Sequence, residues 1–516
     1  MGCSSDPGAK AGAPTAAAPQ PHPDYLVIAP RSAADELAPL VELRRRQGHD
    51  VLVSAIEDIA PAGPSSDAIR AAIAAVADAP GSKLRFVLLA GHPLGAPALP
   101  TFTHRQGDWA MGWGDVTFSS DHDYALFERH HLAVGRLPAR TDGELAAMVD
   151  KLVRYELGPP GAWQKRVMVV GGPADFGPVA DALIEWQATT LLDQVLPYDY
   201  DVNVLFAKPD SPYAYRFDKL GQKIVDDMNQ GALLAVYAGH GNPESFDTVY
   251  FRGYRFPIGT MYDLEDVDVR AGAPFFISLT CHTGAFGRAR RSLGETLATN
   301  PNGPVAVFGS SEVSHPYPNF LYAETLLENL LEKRASTLGE AIVMAKRAMP
   351  EKRILAAELL DFADHDAIKE EHLALYNLLG DPATRLRYPA HATTTLDSAL
   401  VPPNARVTGN ARAAELGDGE ATITIETERS ALRGELETIS RESGPIFQAF
   451  ETMVKNYAIA ADKVVARRIV PMKAGLAPIE LEGPTAPGRY VVKVLLSSEG
   501  AVASTHARFE VAPRAD

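Results

Sequence analysis

Two side chains in this sequence have the type and the setting for nucleophilic catalysis. The apolar run Leu233–Gly239 leads into His240-Gly241, and Phe275–Thr280 leads into Cys281. A continuous apolar run bounded by Gly or Pro reads as a strand buried on both faces of a parallel sheet, so each reactive group stands at a strand end. In open α/β sheets, ligands bind outside the carboxyl ends of the strands. The two positions are about 40 residues apart, room for one crossover connection between neighbouring parallel strands. A thiol and an imidazole can therefore meet there. Cysteine at neutral pH is mainly thiol, and an imidazole can take its proton or polarise it during attack on a carbonyl. Gly241 leaves room for a substrate carbonyl, and its N–H and that of Cys281 are candidate oxyanion donors. Taken singly, Gly239-His240-Gly241 also reads as a tight turn and Cys281 as an inert buried thiol. Their pairing favours chemistry.

The only cysteines are Cys3 and Cys281, so no disulfide scaffold exists. A length of 516 residues with 46% apolar and 22% charged residues fits a soluble chain of roughly three or four domains. The net charge of −16 argues against nucleic acid or an anionic membrane surface as the main partner. No apolar stretch of ~18 residues is present for a membrane span. Gly2-Cys3-Ser4-Ser5-Asp6 and the Ala, Pro and Gly tract to Pro23 resemble a mature bacterial lipoprotein with a flexible tether. On that reading Cys3 carries the lipid and the protein is exported to the cell envelope or beyond. If the resemblance is accidental, a cytoplasmic location stays open.

These reactive ends need strands and helices to position them. From Tyr25 the pattern reads as strand (25–29), helix (33–47), strand (51–53), helix (66–79) and strand (86–90), a series of βαβ units. A Gly, Pro and Asp rich stretch from 91 to 123 reads as wandering over the surface. A helix follows at 142–155, with Thr141 or Asp142 as cap. A second α/β series begins at 163–170 and includes a helix at 179–192, the His240 and Cys281 strands, and a strand at 305–308. It continues with helices at 321–334 and 337–348 and a largely helical stretch at 355–379. After Pro389 the runs 421–425, 432–439, 489–494 and 506–511 alternate as in an antiparallel sandwich of immunoglobulin type, with 446–465 as a helical or irregular insertion.

With these elements in place, the chain resembles the gingipain-like cysteine peptidases, in the larger group that includes caspases, legumains and separases. The resemblance rests on the two apolar blocks before His240-Gly241 and Cys281. It also rests on Asp24–Ile28 with Arg44–Gly48, Ser120–Ala125, Val134–Arg140, Gly309-Ser310-Ser311 and Asn377–Pro382, over roughly residues 24 to 388. It implies an α/β fold of two caspase/gingipain-like α/β/α subdomains with mainly parallel sheets, followed by an immunoglobulin-like β-sandwich. The expected divisions are a tether at 1–23, an N-terminal subdomain at 24–165, a catalytic subdomain at 166–389 and the sandwich at 390–516.

Carried over by this resemblance, Cys281 is the nucleophile and His240 the proton-transfer residue, with N–H groups of Gly241 and Cys281 at the oxyanion. Some relatives orient the histidine with an acid in the loop after the first catalytic strand. Asp175 is the nearest counterpart, and it also reads as a turn residue. Asp181 aligns, without gaps, with the acid by which arginine-specific relatives bind P1 Arg. A gap of one residue would substitute Ala180, and Asp181 also reads as a helix-start acid. Ser311–Pro318, with His315 and Tyr317, resembles the wall of the same pocket.

Asp121, His122, Asp123, His130 and His131 lack the spacing of a zinc site. A structural Ca²⁺ on the loop carboxylates is the alternative, and the reaction needs no cofactor. His282 would point away from Cys281 if the strand continued. The expectation is a cysteine endopeptidase acting on proteins or peptides, with P1 Arg or Lys as the basic-pocket option. The alternative is an exported binding or adhesion protein built on an inactive peptidase fold.

Overall fold

The computed structural model describes residues 22–110, 116–173, 196–354 and 364–513. The N-terminal βαβ pattern forms as its spacing predicts. β1 (Tyr25–Ala29) lies between β2 (Val51–Ala55) and β3 (Phe86–Ala90), all parallel. Helices Ala34–Arg46 and Ser66–Ala77 connect them, the second capped by Ser65, whose side chain accepts from the Ala68 N–H. Tyr25, Val27 and Ala29 join one core with Leu37 and Leu40, whereas Leu26 and Ile28 join another with Ile69 and Ile73. Burial on both faces is why this strand is continuously apolar.

Seven more strands complete one ten-stranded sheet: β4 (Ala133–Leu137), β5 (Arg166–Gly171), β6 (Asp201–Phe206), β7 (Leu234–Ala238), β8 (Phe275–Leu279), β9 (Ala306–Ser310) and β10 (Tyr376–Leu379). Its order is β2-β1-β3-β4-β10-β9-β8-β7-β5-β6. β10 runs parallel to β4 and antiparallel to β9, so two oppositely directed parallel halves meet at β9/β10. The two expected sheets are thus continuous. The stretch read as largely helical to 379 is helical over His365–Leu375 and then becomes β10. Four apolar-flanked residues are too few for periodicity to separate strand from helix, and the slot between the halves decides.

Several motif residues brace this seam. Arg44 donates Nε and Nη2 to Asp381 at 2.8 and 2.6 Å and Nη1 to Glu156 at 2.7 Å. The Tyr25 hydroxyl donates to the same Asp381 at 3.0 Å. Arg136 forks onto Asp121 at 2.7 and 2.8 Å and donates to the carbonyls of Gly91, Leu99 and Pro100. Buried guanidinium groups need this full set of acceptors. The stretch 91–123 does not simply wander over the surface. It forms an antiparallel ribbon of Phe102–Arg105 with Thr117–Ser120 and buries Leu99, Phe118, Ser120 and Asp121.

Beyond Pro389, a six-stranded and a three-stranded sheet face each other across a shared apolar core, forming a β-sandwich. Residues 432–439, expected as a strand, form none. The Glu437 N–H donates to Asn456 Oδ1 at 2.9 Å and its carbonyl accepts from Asn456 Nδ2 at 2.8 Å, so a side chain replaces ladder bonds there. The insertion is the helix Ile446–Ala461. Its Ala449, Phe450, Met453 and Tyr457 pack into the core of the α/β body. Among the described residues no helix is long and apolar enough to cross a membrane.

Candidate active site

β7 and β8 are parallel neighbours, and their register pairs Ala238 with Leu279. His240 and Cys281 each follow two residues later, so both lie at one level off the carboxyl edge of the sheet. The Gly239 N–H donates to the Leu279 carbonyl at 3.4 Å. A Cβ added at Gly241 would lie 2.3 Å from Thr280 Oγ1 and 3.0 Å from the Cys281 carbonyl oxygen. Glycine is what permits this approach of the two loops. The Tyr237 hydroxyl donates to the His240 carbonyl at 3.0 Å and accepts from the Asp247 N–H at 3.3 Å. Its ring stacks on Phe246 at 3.8 Å, which fixes the backbone at His240.

Cys281 lies half-buried against the loop that follows β9. The Ser314 N–H donates to Sγ at 3.3 Å, and Sγ lies 3.6 Å from the Ser314 carbonyl and 3.8 Å from its hydroxyl. That hydroxyl accepts from Asn319 Nδ2 at 2.8 Å, and Asn319 Oδ1 accepts from the Tyr376 hydroxyl at 2.6 Å. Burial pushes the Cys281 thiol up, the Ser314 hydrogen bonds oppose the rise, and the Glu312 carboxylate adds to it. A thiol of this kind needs a base at the moment of attack.

The chain leaves the strand immediately after Cys281. His282 is left-handed with φ of 62°, so side-chain alternation does not continue through it. Its Nδ1 lies 2.5 Å from Glu312 Oε1, and its N–H donates to the Glu312 carbonyl at 3.0 Å. Gly284 then passes against β9, where an added Cβ would lie 2.4 Å from the carbonyl carbon of Gly309.

The expected wall residues divide. His315 caps the helix Pro316–Leu327, its Nδ1 accepting from the Tyr317 N–H at 3.2 Å. Its own N–H donates to His372 Nε2 at 2.9 Å, and its ring stands edge-on to Trp109 at 5.8 Å. Burial holds His372 neutral, with its pKa lowered to about 3. Tyr317 is buried, its ring 4.7 Å from His365. Asp175, Asp181 and Cys3 lie outside the described residues. The loop that carries Asp175 starts beside the site, where the Gly172 N–H donates to the Ala238 carbonyl at 2.8 Å.

The acidic and histidine cluster elsewhere is engaged otherwise. Asp121 holds Arg136, Asp123 lies 2.7 Å from His104, and His130 lies 2.7 Å from Asp78. His122 is 3.4 Å from Lys346 Nζ, and burial lowers its pKa well below the ordinary value. Among the described residues no group of three or more His, Cys, Asp or Glu is placed to hold a metal ion. In the sequence, Glu312 and Ser314 fall within the expected wall stretch Ser311–Pro318, with no role of their own. Their available signal is position, since both follow the apolar run 305–308 at the edge where Cys281 ends its own.

Residues 18–387 match the model of peptidase family C25. Gingipain R2 of Porphyromonas gingivalis is 23% identical over 379 residues, which is 70% of this chain and 46% of that protein. Gingipain R1 of Porphyromonas gingivalis is 22% identical over 379 residues, 34% of its length. The chain thus spans less than half the length of these relatives. A crystal structure of the Arg-specific cysteine proteinase gingipain R superimposes with a TM-score of 0.54 at 17% identity, covering 96% of this chain and 100% of that one. The complex of Porphyromonas gingivalis RgpB pro- and mature domains gives a TM-score of 0.54 at 18% identity, over 95% of this chain and 100% of that one. The shared fold is mixed α/β with a large, mainly parallel sheet.

Proposed function

We propose, from the fact that this chain belongs to peptidase family C25, that it is a cysteine endopeptidase with Cys281 as nucleophile and His240 as proton carrier. The observation that carries the reading is the β7/β8 register, with Gly241 packed against the Cys281 carbonyl. Sγ attacks the scissile carbonyl as His240 takes the thiol proton. The N–H groups of Gly241 and Cys281 receive the developing oxyanion. The C–N bond then breaks, and the amine leaves with the proton from His240. Water attacks the acyl-thioenzyme, losing a proton to His240, and the C–S bond breaks to release the acid.

Three finer assignments belong to the same proposal. Asp175 orients His240, supported by the start of its loop beside Ala238. Asp181 favours P1 Arg or Lys in a pocket walled by His315 and Tyr317, supported by the likeness to gingipain R, described as Arg-specific. Export with a Cys3 lipid tether, and an immunoglobulin-type identity for the sandwich, rest on the N-terminal composition and on the facing sheets.

Labelling with peptidyl acyloxymethyl ketones carrying Arg, Lys or Asp at P1 tests the reading. The expected result is a mass adduct on Cys281, absent in Cys281→Ala and slowed about 10²-fold or more in His240→Ala. If no P1 gives an adduct, the peptidase reading fails and the binding-protein alternative stands. Equal labelling by acidic and basic P1 groups would reject the Arg/Lys assignment alone.

A further inference from the structure

Glu312 is a carboxylate only 3% exposed, and a buried charge persists only where partners compensate it. Its ion-pair partner, the Arg288 guanidinium, comes from the loop that Cys281 opens, and so does His282, whose Nδ1 lies 2.5 Å from Glu312 Oε1 without a hydrogen bond between them. The Glu312 carbonyl accepts from the His282 N–H at 3.0 Å and from the Ser310 hydroxyl at 2.7 Å. Glu312 therefore holds the residue after Cys281 through its main chain and packs its carboxylate against that residue's ring. That residue has φ of 62°, a conformation that a non-glycine residue keeps only where its surroundings impose it. Two residues further along, the Ser314 N–H reaches Sγ. One short segment thus holds both the turn and the thiol.

We propose that Glu312 is a positioning residue for the nucleophile: its carbonyl holds the turn after Cys281 through the His282 N–H, and its carboxylate, packed beside the His282 ring, sets near the thiol a charge that Arg288 balances. The inference rests on the peptidase reading only in taking Cys281 as the nucleophile. The titratable or charged groups on the elements packed around the thiol include His240 two residues beyond the end of β7, His282 and Arg288 from its own loop, Glu312 and His315 from the loop after β9, and Tyr376 from β10. An anion beside a thiol favours the protonated form, and a cation that neutralises the anion opposes this. Removing Glu312 therefore lowers the pH at which the thiol becomes reactive. Removing Arg288 raises it.

The experiment follows alkylation of Cys281 by iodoacetamide against pH, using intact mass in a Cys3→Ser background. The midpoint in Glu312→Gln is expected to fall by about half a unit or more relative to the unaltered protein. Peptide hydrolysis by the same variant is expected to lose about tenfold in kcat with KM little changed, because the nucleophile is less well held. Glu312→Asp, which keeps the charge, retains the midpoint. An unmoved midpoint in folded Glu312→Gln overturns the proposal. If that variant does not fold, Arg288→Gln decides, since the Arg288 side chain is 43% exposed. A raised midpoint there supports the brace, and an unmoved one overturns it. Alkylation is read without substrate, so loss of the peptidase reading and loss of this inference give separate results.

Discussion

At Gly241 a single added methyl group would collide with the Cys281 loop. Its site lies 2.3 Å from Thr280 Oγ1 and 3.0 Å from the Cys281 carbonyl, closer than real Cβ contacts allow. Either the His240 loop or the Cys281 loop must then move. Gly241→Ala is accordingly expected to lower peptide turnover about 10²-fold, the scale of losing one oxyanion donor. Alkylation of Cys281 by a small reagent should survive, since Ser314 still holds the sulfur. Full turnover in Gly241→Ala would show that this N–H takes no part. The paired residues His240 and Cys281 were legible because each ends an apolar run. Glu312 and Ser314 were not, because their role depends on where the chain turns after β9, and no local pattern encodes that contact.

Two short elements decide how the halves of the sheet meet. β10 inserts between β4 and β9, and Arg44 from the helix after β1 reaches Asp381 just beyond it. Glycine permits the crossing at Gly135, where an added Cβ would lie 2.3 Å from the Gly380 carbonyl oxygen. Arg44→Met removes the cation between two buried carboxylates, Asp381 and Glu156, while roughly keeping the volume. Stripping one partner from a buried ion pair costs about 3–5 kcal/mol. Urea unfolding of this variant is expected to show a loss of that size. A loss below about 1 kcal/mol would mean that the seam is held by the strands alone. The motif residues at this seam were visible in sequence as a family pattern, yet their spacing does not say that they are structural.

Across the whole molecule, the sandwich is wedged onto the α/β body through the helix Ile446–Ala461. Phe450 lies 6.3, 6.4 and 5.6 Å from the rings of Phe217, Phe251 and Phe256. Arg252 donates to the carbonyls of Ser440, Gly444 and Pro445, and Arg429 to those of Leu196, Pro197 and Tyr200. Buried aromatic truncations cost about 3–5 kcal/mol, so Phe450→Ala is expected to lower the Tm of the α/β body itself. Calorimetry distinguishes the outcomes. An unchanged Tm with unaltered activity would mean that the sandwich is an independent attachment. Alternation marks the strands around 421–425, 489–494 and 506–511, but not Thr393–Leu396, Arg406–Arg412 and Leu476–Glu482 of the facing sheet, and 432–439 alternates without pairing because Asn456, remote in sequence, satisfies its backbone.

From the sequence alone came the α/β grammar, the strand ends that carry His240 and Cys281, and the family. The first two follow from local periodicity, since a doubly buried strand has to be continuously apolar, whereas the family rests on the resemblance of several motifs in order. Tertiary structure decided the rest: the register that sets the two strand ends level, the strand that fuses two sheets into one, and the acid behind Cys281. Each is a contact between segments far apart in the chain. Such contacts are selected by packing and by the need to pair every buried charge, which no short window of residues records.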